Sequence, residues 1–167
     1  VCHPQKLYAA SKIYAENLLQ TSCDNSSLKG ITLRIAGVHG IGRKNGVVYN
    51  MFKKSKENNN VFVSEPNSLF RLTFTDDLVL AIKKILKKSI QENYSLYNLA
   101  GDDIFNLRSL AKKITKITGI GKVKEIKNSN SRKQIMNIDK FKKKYNFKTV
   151  SLDKKLNKFY KYYKEKL

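Results

Sequence analysis

The chain has 167 residues and carries 34 basic against 13 acidic residues, a formal net charge of +21 at pH 7. A hydrophobic share of 41% is enough for one globular core, and no apolar run approaches the about 18 residues that a membrane-spanning helix needs. We therefore expect no membrane span and no targeting segment. Two isolated cysteines predict neither a disulfide framework nor a metal site, and a reducing cytoplasm fits best.

The excess of basic residues raises the question of nucleic acid binding. The chain has 29 Lys but only 5 Arg, together with 16 Asn. Guanidinium groups that read bases or clamp phosphates are therefore scarce, and the lysines are spread over every predicted helix. An AT-rich genome, whose codons favour Lys, Asn and Ile, explains this composition more simply. A basic nucleic-acid-binding protein is kept only as a minor alternative. The positive electrostatic field of the chain would also favour the binding of anionic small molecules such as sugar nucleotides.

The first predicted helix covers residues 4–22, with Pro4 in its first turn and the turn 23–27 after it. Tyr8 and Lys12 are four residues apart and therefore lie on one face, one turn above the other. An ammonium about 5 Å from a phenol stabilises the phenolate by about 3 kcal/mol at an effective dielectric near 20. This pair is therefore suited to acid–base work. Apolar side chains at helical spacing predict the buried side of the helix: Leu7, Ala10, Tyr14 and Leu18.

The same spacing occurs four times, at Tyr8/Lys12, Tyr49/Lys53, Tyr160/Lys164 and Tyr162/Lys166. The spacing alone is therefore not diagnostic, and a solvent-facing pair is the plain alternative. Only the first copy has small residues between its ends and a glutamate, Glu16, four residues beyond its lysine.

The remaining pattern alternates strands and helices. After a buried parallel strand at 31–36 and a glycine loop at 37–46, it predicts a helix at 47–56, a strand at 61–63 and an extended piece at 72–75. A helix capped by Asp76 or Asp77 follows, then a strand at 94–99 and an amphipathic helix at 107–118 that Gly119 ends. A strand at 122–126 and helices at 137–145 and 151–166 complete the order. The last helix has one apolar stripe at helical spacing, so its lysines are most simply a solvated face: Leu152, Leu156, Phe159 and Tyr163. This order is typical of the second half of an α/β enzyme.

Five motifs follow one another along the chain: Tyr8-Ala9-Ala10-Ser11-Lys12 with Glu16, Leu33-Arg34 with Gly37-Val38-His39-Gly40-Ile41-Gly42, and the segments 71–78, 97–101 and 139–148. Together they resemble the NAD-dependent epimerase/dehydratase family, the extended short-chain dehydrogenase/reductases. The resemblance implies an α/β fold, the C-terminal half of a Rossmann-like doubly wound parallel sheet plus a small α/β substrate-binding lobe.

The resemblance also implies a division of the chain within a single partial domain. Residues 1–40 would end the nucleotide-binding core, and residues 41–167 would form mostly the substrate-binding lobe with returning core elements. The family's glycine fingerprint and its assisting serine or threonine would lie upstream of Val1. We therefore expect a C-terminal fragment or one half of a split enzyme, which lacks the N-terminal Rossmann half and is inactive alone.

For the site, the resemblance implies that Tyr8 is the catalytic acid–base and that Lys12 binds the ribose, so that both also contact the cofactor, NAD or NADP. Ala36, Gly37, Val38 and His39 resemble the loop that lines the nicotinamide. Gly37 stands where many family members carry Asn. This difference favours a reductase or another epimerase over a plain sugar 4-epimerase. His39 stands where the family often has Tyr, and a partly buried ring without a catalytic role is its simpler interpretation.

Three further residues are candidates for binding a nucleotide-sugar substrate. Arg71 and Arg132 could clamp its diphosphate, although Arg71 is one residue out of place relative to many relatives and Arg132 could equally be a surface residue. Asn45 could contact substrate or act only as a helix N-cap. No metal ligand is expected.

The implied function is nucleotide-sugar epimerisation, reduction or dehydration in surface polysaccharide biosynthesis, with a homodimer formed through the Tyr-x-x-x-Lys helix. A non-catalytic binding or scaffold subunit of the same fold is the alternative. A rival within the chain is that Gly40, Gly42 and Gly46, with Glu65 after the next strand, form a dinucleotide-binding loop of their own. Their G-x-G-x-x-x-G spacing and the charged Arg34 in the preceding strand weigh against it.

Overall fold

The computed structural model describes residues 6–126 and 131–165. In chain order its elements are α1 (Leu7–Asp24), β1 (Gly30–Ile35), β2 (Val38–His39), α2 (Gly46–Asn58), β3 (Asn60–Val63), β4 (Leu69–Phe70), β5 (Thr73–Phe74), α3 (Thr75–Leu86), β6 (Tyr94–Leu99), β7 (Phe105–Asn106), α4 (Leu107–Thr118), β8 (Lys122–Glu125), β9 (Lys133–Gln134), α5 (Asp139–Tyr145) and α6 (Leu152–Tyr163). Most bounds lie within a few residues of the predicted ones. Pro4 and Lys166 lie outside the described residues.

Helix α4 shows how the sequence sets these elements. The side chain of its N-cap residue, Asn106, accepts the backbone N–H of Ser109 at 2.7 Å, and the Ser109 hydroxyl accepts the Asn106 N–H at 3.2 Å. Gly119 ends the helix with a left-handed φ of 69°, as its position predicted. Leu110, Ala111 and Ile114 are fully buried, so the apolar stripe faces the core.

The first core surrounds a parallel pair of strands, β1 and β6, which run in register from Gly30 beside Tyr94 to Ile35 beside Leu99. Helix α1 contacts this pair, and α3 and α5 contribute the apolar side chains that pack on it. Tyr97 of β6 lies at the centre, with edge-to-face contacts to Phe141 and Tyr145 of α5 at ring distances of 5.7 and 5.5 Å. Elements distant in sequence therefore return to β1, as expected for the end of a Rossmann-like sheet.

The second core lies between helices α2, α4 and α6 and the parallel pair β3–β8. Its largest fully buried members include Phe52, Ile114, Leu156 and Tyr163. Two small sheets complete the lobe, β2 parallel to β5, and β4 between β7 and β9. The division of the chain predicted at residue 40 remains a prediction.

A buried ion pair joins the cores. Lys155 of α6 donates to Asp77 of α3 at 2.6 Å, and the same carboxylate accepts the backbone N–H of Phe74 at 3.2 Å. The N-cap position of α3 is held by Phe74, so the prediction that Asp76 or Asp77 occupies it was wrong. Asp77 lies in the first turn and supports the helix start by accepting the Phe74 N–H with its side chain. The predicted stripe of α6 is buried as expected: Leu152, Leu156, Phe159 and Tyr163.

The prediction for the buried side of α1 was wrong for this chain. Leu7, Ala10, Tyr14 and Leu18 are exposed, and the helix instead contacts β1 and β6 through a half-buried side, Ile13, Glu16 and Leu19, and the buried Cys23. Strand β1 pairs in parallel as predicted, but its carboxyl end, Arg34 and Ile35, is exposed. Among the described residues β1 pairs with β6 alone. No helix in the described part of the chain combines the length and apolar character needed to cross a bilayer.

Candidate active site

Tyr8 and Lys12 lie on one side of α1, as their spacing predicted. The Lys12 ammonium is 5.4 Å from the centre of the Tyr8 ring and lies over the ring face rather than beside the hydroxyl. Tyr8 is 74% exposed, so its hydroxyl is accessible to a reactant. The helix therefore brings a phenol and an ammonium together in an open position.

An open groove with a volume of ≈ 620 Å³ lies beside this pair. Its walls are α1 and the carboxyl half of β1, and Met136 contributes from the segment before α5. A parallel sheet binds ligands at the carboxyl ends of its strands, and the volume is in the range of small-molecule sites. Tyr8 and Lys12 thus line a groove at the expected edge of the sheet.

Glu16 and Arg34 join the two walls of the groove. Arg34 Nε and Nη2 donate to the two carboxylate oxygens of Glu16 at 3.0 and 2.5 Å. This two-pronged geometry fixes α1 against the end of β1. It also explains why the charged Arg34 lies in a largely apolar strand. The sequence feature that could have indicated this partner is Glu16, one turn beyond Lys12 on the same face of α1.

The segment 36–39 leaves β1 at the groove. The Ala36 N–H donates to the Leu99 carbonyl at 3.0 Å, and the Gly37 carbonyl accepts the Thr73 N–H at 3.1 Å. A Cβ added to Gly37 would approach His39 Nε2 at 3.8 Å, an ordinary contact, so no described neighbour crowds the backbone there. The segment is held from both sides by β6 and β5 while its backbone at Gly37 stays open.

His39 is buried between Phe74 and Gly46. Its ring centre is 6.4 Å from that of Phe74, and a Cβ added to Gly46 would lie 2.8 Å from His39 Cε1. Desolvation, together with the positive charge of Arg43, lowers the pKa of His39 from 6.5 to about 4. A ring that is buried and neutral near pH 7 agrees with the simpler interpretation of this residue, and its proposed cofactor contact stays a prediction.

The buried His39 predicts a pH-dependent stability. Because its pKa is lowered from 6.5 to about 4, the unfolded chain binds a proton in this window that the folded chain does not. The contribution of His39 to the free energy of unfolding should therefore be largest above pH 6.5. It should fall by about 2 to 3 kcal/mol as the pH drops to about 4. Urea unfolding at several pH values measures the slope. In His39→Phe the part of the slope due to this residue should vanish, and a wild-type slope in the variant would contradict the assignment.

The three substrate candidates lie away from the groove. Arg71 Nη1 donates to the carbonyls of Gly101 and Asp102 at 3.0 and 2.6 Å, and its Nε is buried without a partner among the described residues. Arg132 is exposed and pairs with Glu65 at 2.8 Å. Asn45 occupies the N-cap position of α2, but its side chain accepts Arg43 Nε at 2.6 Å instead of capping the helix.

The glycine loop does not have the geometry of an independent dinucleotide site. Such a site needs the strand before the glycines and the strand before the acidic residue in one sheet. Here β1 and β2 pair with β6 and β5, whereas β3, which precedes Glu65, pairs with β8 in another sheet. Glu65 itself is bound to Arg132 and to the Ser68 hydroxyl at 2.9 Å.

Two site-supporting residues could not be found from the sequence. The Tyr163 hydroxyl accepts the Gly42 N–H at 2.8 Å across 121 residues, and Lys155 reaches Asp77 across 78 residues. Both lie on a helix whose lysines were interpreted as a solvated face. Helical spacing shows which side of α6 is apolar, but it does not show which polar atom on that side meets a distant loop.

Comparison with known proteins gives a consistent result. The sequence profile of the RmlD substrate binding domain matches residues 1–164. No sequence of a curated protein matches the chain. Among solved structures, the chain is similar to UDP-glucose 4-epimerase of Thermotoga maritima, solved with UDP-glucose, at 24% identity and a TM-score of 0.80, over 98% of this chain and 55% of that chain.

Two further structures share the fold at lower identity. One is dTDP-glucose 4,6-dehydratase of Bacillus anthracis in complex with NAD, with 16% identity and a TM-score of 0.81 over 99% of this chain and 54% of that chain. The other is RMD of Pseudomonas aeruginosa complexed with NADPH, with 14% identity and a TM-score of 0.84 over 100% of this chain and 58% of that chain. The predicted Rossmann-like α/β fold is confirmed, and the chain spans just over half the length of each of these proteins.

Proposed function

Because the chain belongs to the RmlD substrate binding domain family of NAD-dependent epimerase/dehydratase proteins, we propose that it supplies the acid–base half of an NAD- or NADP-dependent enzyme that acts on nucleotide sugars. The observation that carries this proposal is the Tyr8–Lys12 pair on the wall of an open groove at the carboxyl end of β1. We assign the enzyme to the biosynthesis of surface polysaccharide in the cytoplasm.

In this proposal Tyr8 moves the proton of a sugar hydroxyl. Its Oη accepts that proton as the hydroxyl carbon is oxidised and returns it when the carbon is reduced. Lys12 stabilises the phenolate and donates hydrogen bonds to the cofactor ribose. The Glu16–Arg34 pair holds α1 against β1, so that the phenol keeps its distance from the end of the strand.

The residues around the groove fit a nicotinamide dinucleotide, which would supply the hydride acceptor and donor. The space is about 620 Å³, and the backbone beside Gly37 is open to a flat ring. Ala36, Gly37, Val38 and His39 would line the nicotinamide side, with His39 contributing its buried ring rather than a charge. Two of the similar structures contain NAD or NADPH, which supports this choice of cofactor.

Arg71, Arg132 and Asn45 remain the proposed contacts for the nucleotide sugar. Arg132 is exposed, and its partner Glu65 would have to share it with a diphosphate. The buried Nε of Arg71 is a donor that a ligand could satisfy, although Nη1 already holds the loop at Gly101. UDP-glucose bound to the Thermotoga maritima epimerase supports the substrate class.

Two structural features support the proposal that other protein segments pack against this chain. Strand β1 has one paired edge in the described structure, and the similar proteins are nearly twice as long, so we propose that an N-terminal Rossmann half completes the sheet. We call this chain together with that half the assembled enzyme. The exposed apolar side of α1, Leu7, Tyr14 and Leu18, supports burial against the other half or a second copy in a homodimer.

The assembled enzyme tests this function directly. We expect it to convert a UDP- or dTDP-activated hexose with NAD or NADP, while the isolated chain shows no turnover because half of the dinucleotide site is absent. Chromatography of a panel of nucleotide sugars measures conversion, and circular dichroism of the isolated chain verifies that it is folded. Turnover by the isolated chain, or none by the assembled enzyme with any member of the panel, would contradict the proposal.

A further inference from the structure

Helix α6 is joined to the glycine loop by a hydrogen bond near its C-terminal end. The hydroxyl of Tyr163, a residue with 1% exposure, accepts the backbone N–H of Gly42 at 2.8 Å. In the described part of the chain, and apart from the backbone bonds by which the loop enters α2, the other hydrogen bonds of residues 40–45 stay within residues 38–45. The loop is therefore tied to the rest of the fold by hydrogen bonding at a single amide.

The loop needs such a tie because its backbone is permissive. Gly40, Gly42 and Gly46 have φ values of 152°, 96° and 86°, which residues with a Cβ rarely adopt. Nothing described lies within 4 Å of a Cβ added to Gly42, so packing does not restrain the loop at that point. A polar contact there restricts conformations that sterics leave open.

Tyr163 is a rigid anchor because α6 is fixed along its length. At the N-terminal half, Lys155 is bound to the buried Asp77, and one turn later Lys158 pairs with Asp76. At the C-terminal half, the Tyr163 ring packs against Phe159 at 4.6 Å and edge-on against Tyr49 at 5.5 Å between ring centres. The hydroxyl therefore has a defined position relative to α3 and to the second core.

We propose that Tyr163 is a positioning residue of the active site. It fixes residues 40–46 of the glycine loop, and through them the segment 36–39 beside the groove. The positioning role rests on the proposed function, whereas the hydrogen bond between Tyr163 and Gly42 does not depend on it. Segment 36–39 is bound to β6 and β5, and Gly42 is where α6 restrains the chain after it leaves these two strands. Losing the tie would let the loop move without unfolding α6.

Tyr163→Phe removes the hydroxyl and keeps the ring packing. The matched control is Tyr160→Phe on the same helix, since the Tyr160 ring stacks on Phe52 and its hydroxyl makes no hydrogen bond among the described residues. In this chain, hydrogen exchange at the Gly42 amide should become about tenfold faster in Tyr163→Phe and stay unchanged in Tyr160→Phe. Equal exchange in the two variants would overturn the tie.

The role in positioning is measured in the assembled enzyme. Tyr163→Phe should raise the KM for the dinucleotide by about three- to tenfold while kcat stays within about twofold, and Tyr160→Phe should change neither. Faster exchange at Gly42 with an unchanged KM would overturn the positioning role. If the wild-type assembled enzyme bound no dinucleotide, the proposed function and this role would both fail, whereas the exchange result would still report on the tie alone.

Discussion

Replacing Tyr8 by phenylalanine should lower kcat of the assembled enzyme by about 10²- to 10⁴-fold. The substitution removes the only atom of this side chain that can carry a proton and keeps the ring that Lys12 faces at 5.4 Å. The affinity for the dinucleotide should fall by no more than about tenfold, because one hydroxyl contact is lost while Lys12 and the segment 36–39 are untouched. Steady-state rates and dinucleotide titrations on the same preparations separate these two effects.

Tyr14→Phe is the matched control for this substitution. Tyr14 lies on the same helix, is exposed, and does not line the groove. Its loss should leave kcat within about twofold. Wild-type turnover in Tyr8→Phe would favour the alternative of a binding or scaffold subunit that keeps the fold without the chemistry.

Replacing Lys155 by methionine should lower the free energy of unfolding by about 3 to 5 kcal/mol. Methionine keeps much of the length and the apolar stem, but it leaves the Asp77 carboxylate buried with no cation beside it. The two side chains are 8% and 3% exposed, and their atoms are 2.6 Å apart, so water cannot replace the lost ammonium. Denaturant unfolding monitored by far-UV circular dichroism measures the loss.

The chain contains its own control for this effect. Lys158 pairs with Asp76, the neighbouring acid on α3, but these side chains are 59% and 64% exposed. Lys158→Met should therefore cost no more than about 1 kcal/mol, since an exposed pair exchanges its partner for water. Equal losses in the two variants would mean that Lys155 acts through its packing and not through its charge.

Helical periodicity predicted those elements whose partners lie within this chain. The bounds of α4 agree with the prediction residue for residue, and the stripe of α6 is buried, because both helices pack in the second core. The same reasoning failed for α1, where Leu7 and Tyr14 follow helical spacing and are exposed. Periodicity shows that a side of a helix is apolar, but the partner that covers it has to be supplied by the rest of the fold.

The short strands could not be predicted from the sequence, for a different reason. Strands β2, β4, β5, β7 and β9 have two residues each, which is too short to show alternation. They form because neighbouring segments meet, as when Val38 pairs with Thr73. The extended piece predicted at 72–75 overlaps β5, but its pairing with the glycine loop followed only from the structure.

Prediction of the site had the same limits. The spacing of Tyr8 and Lys12 placed them on one face, but the pairing of Glu16 with Arg34 followed only from the structure. Arg71 was expected as a free clamp, but Nη1 is bound to two carbonyls of a loop thirty residues away in sequence. Local spacing therefore predicted contacts within one helix, whereas contacts between distant loops depend on tertiary structure.

A crystal structure of the assembled enzyme with its dinucleotide bound tests the central claim most directly. The account predicts that Tyr8 Oη and Lys12 Nζ lie within about 3.2 Å of hydroxyl groups of the ribose or the sugar, with the nicotinamide ring over Gly37. A dinucleotide bound away from Tyr8, for example with its diphosphate on the loop 40–46 and its ribose at Glu65, would contradict it.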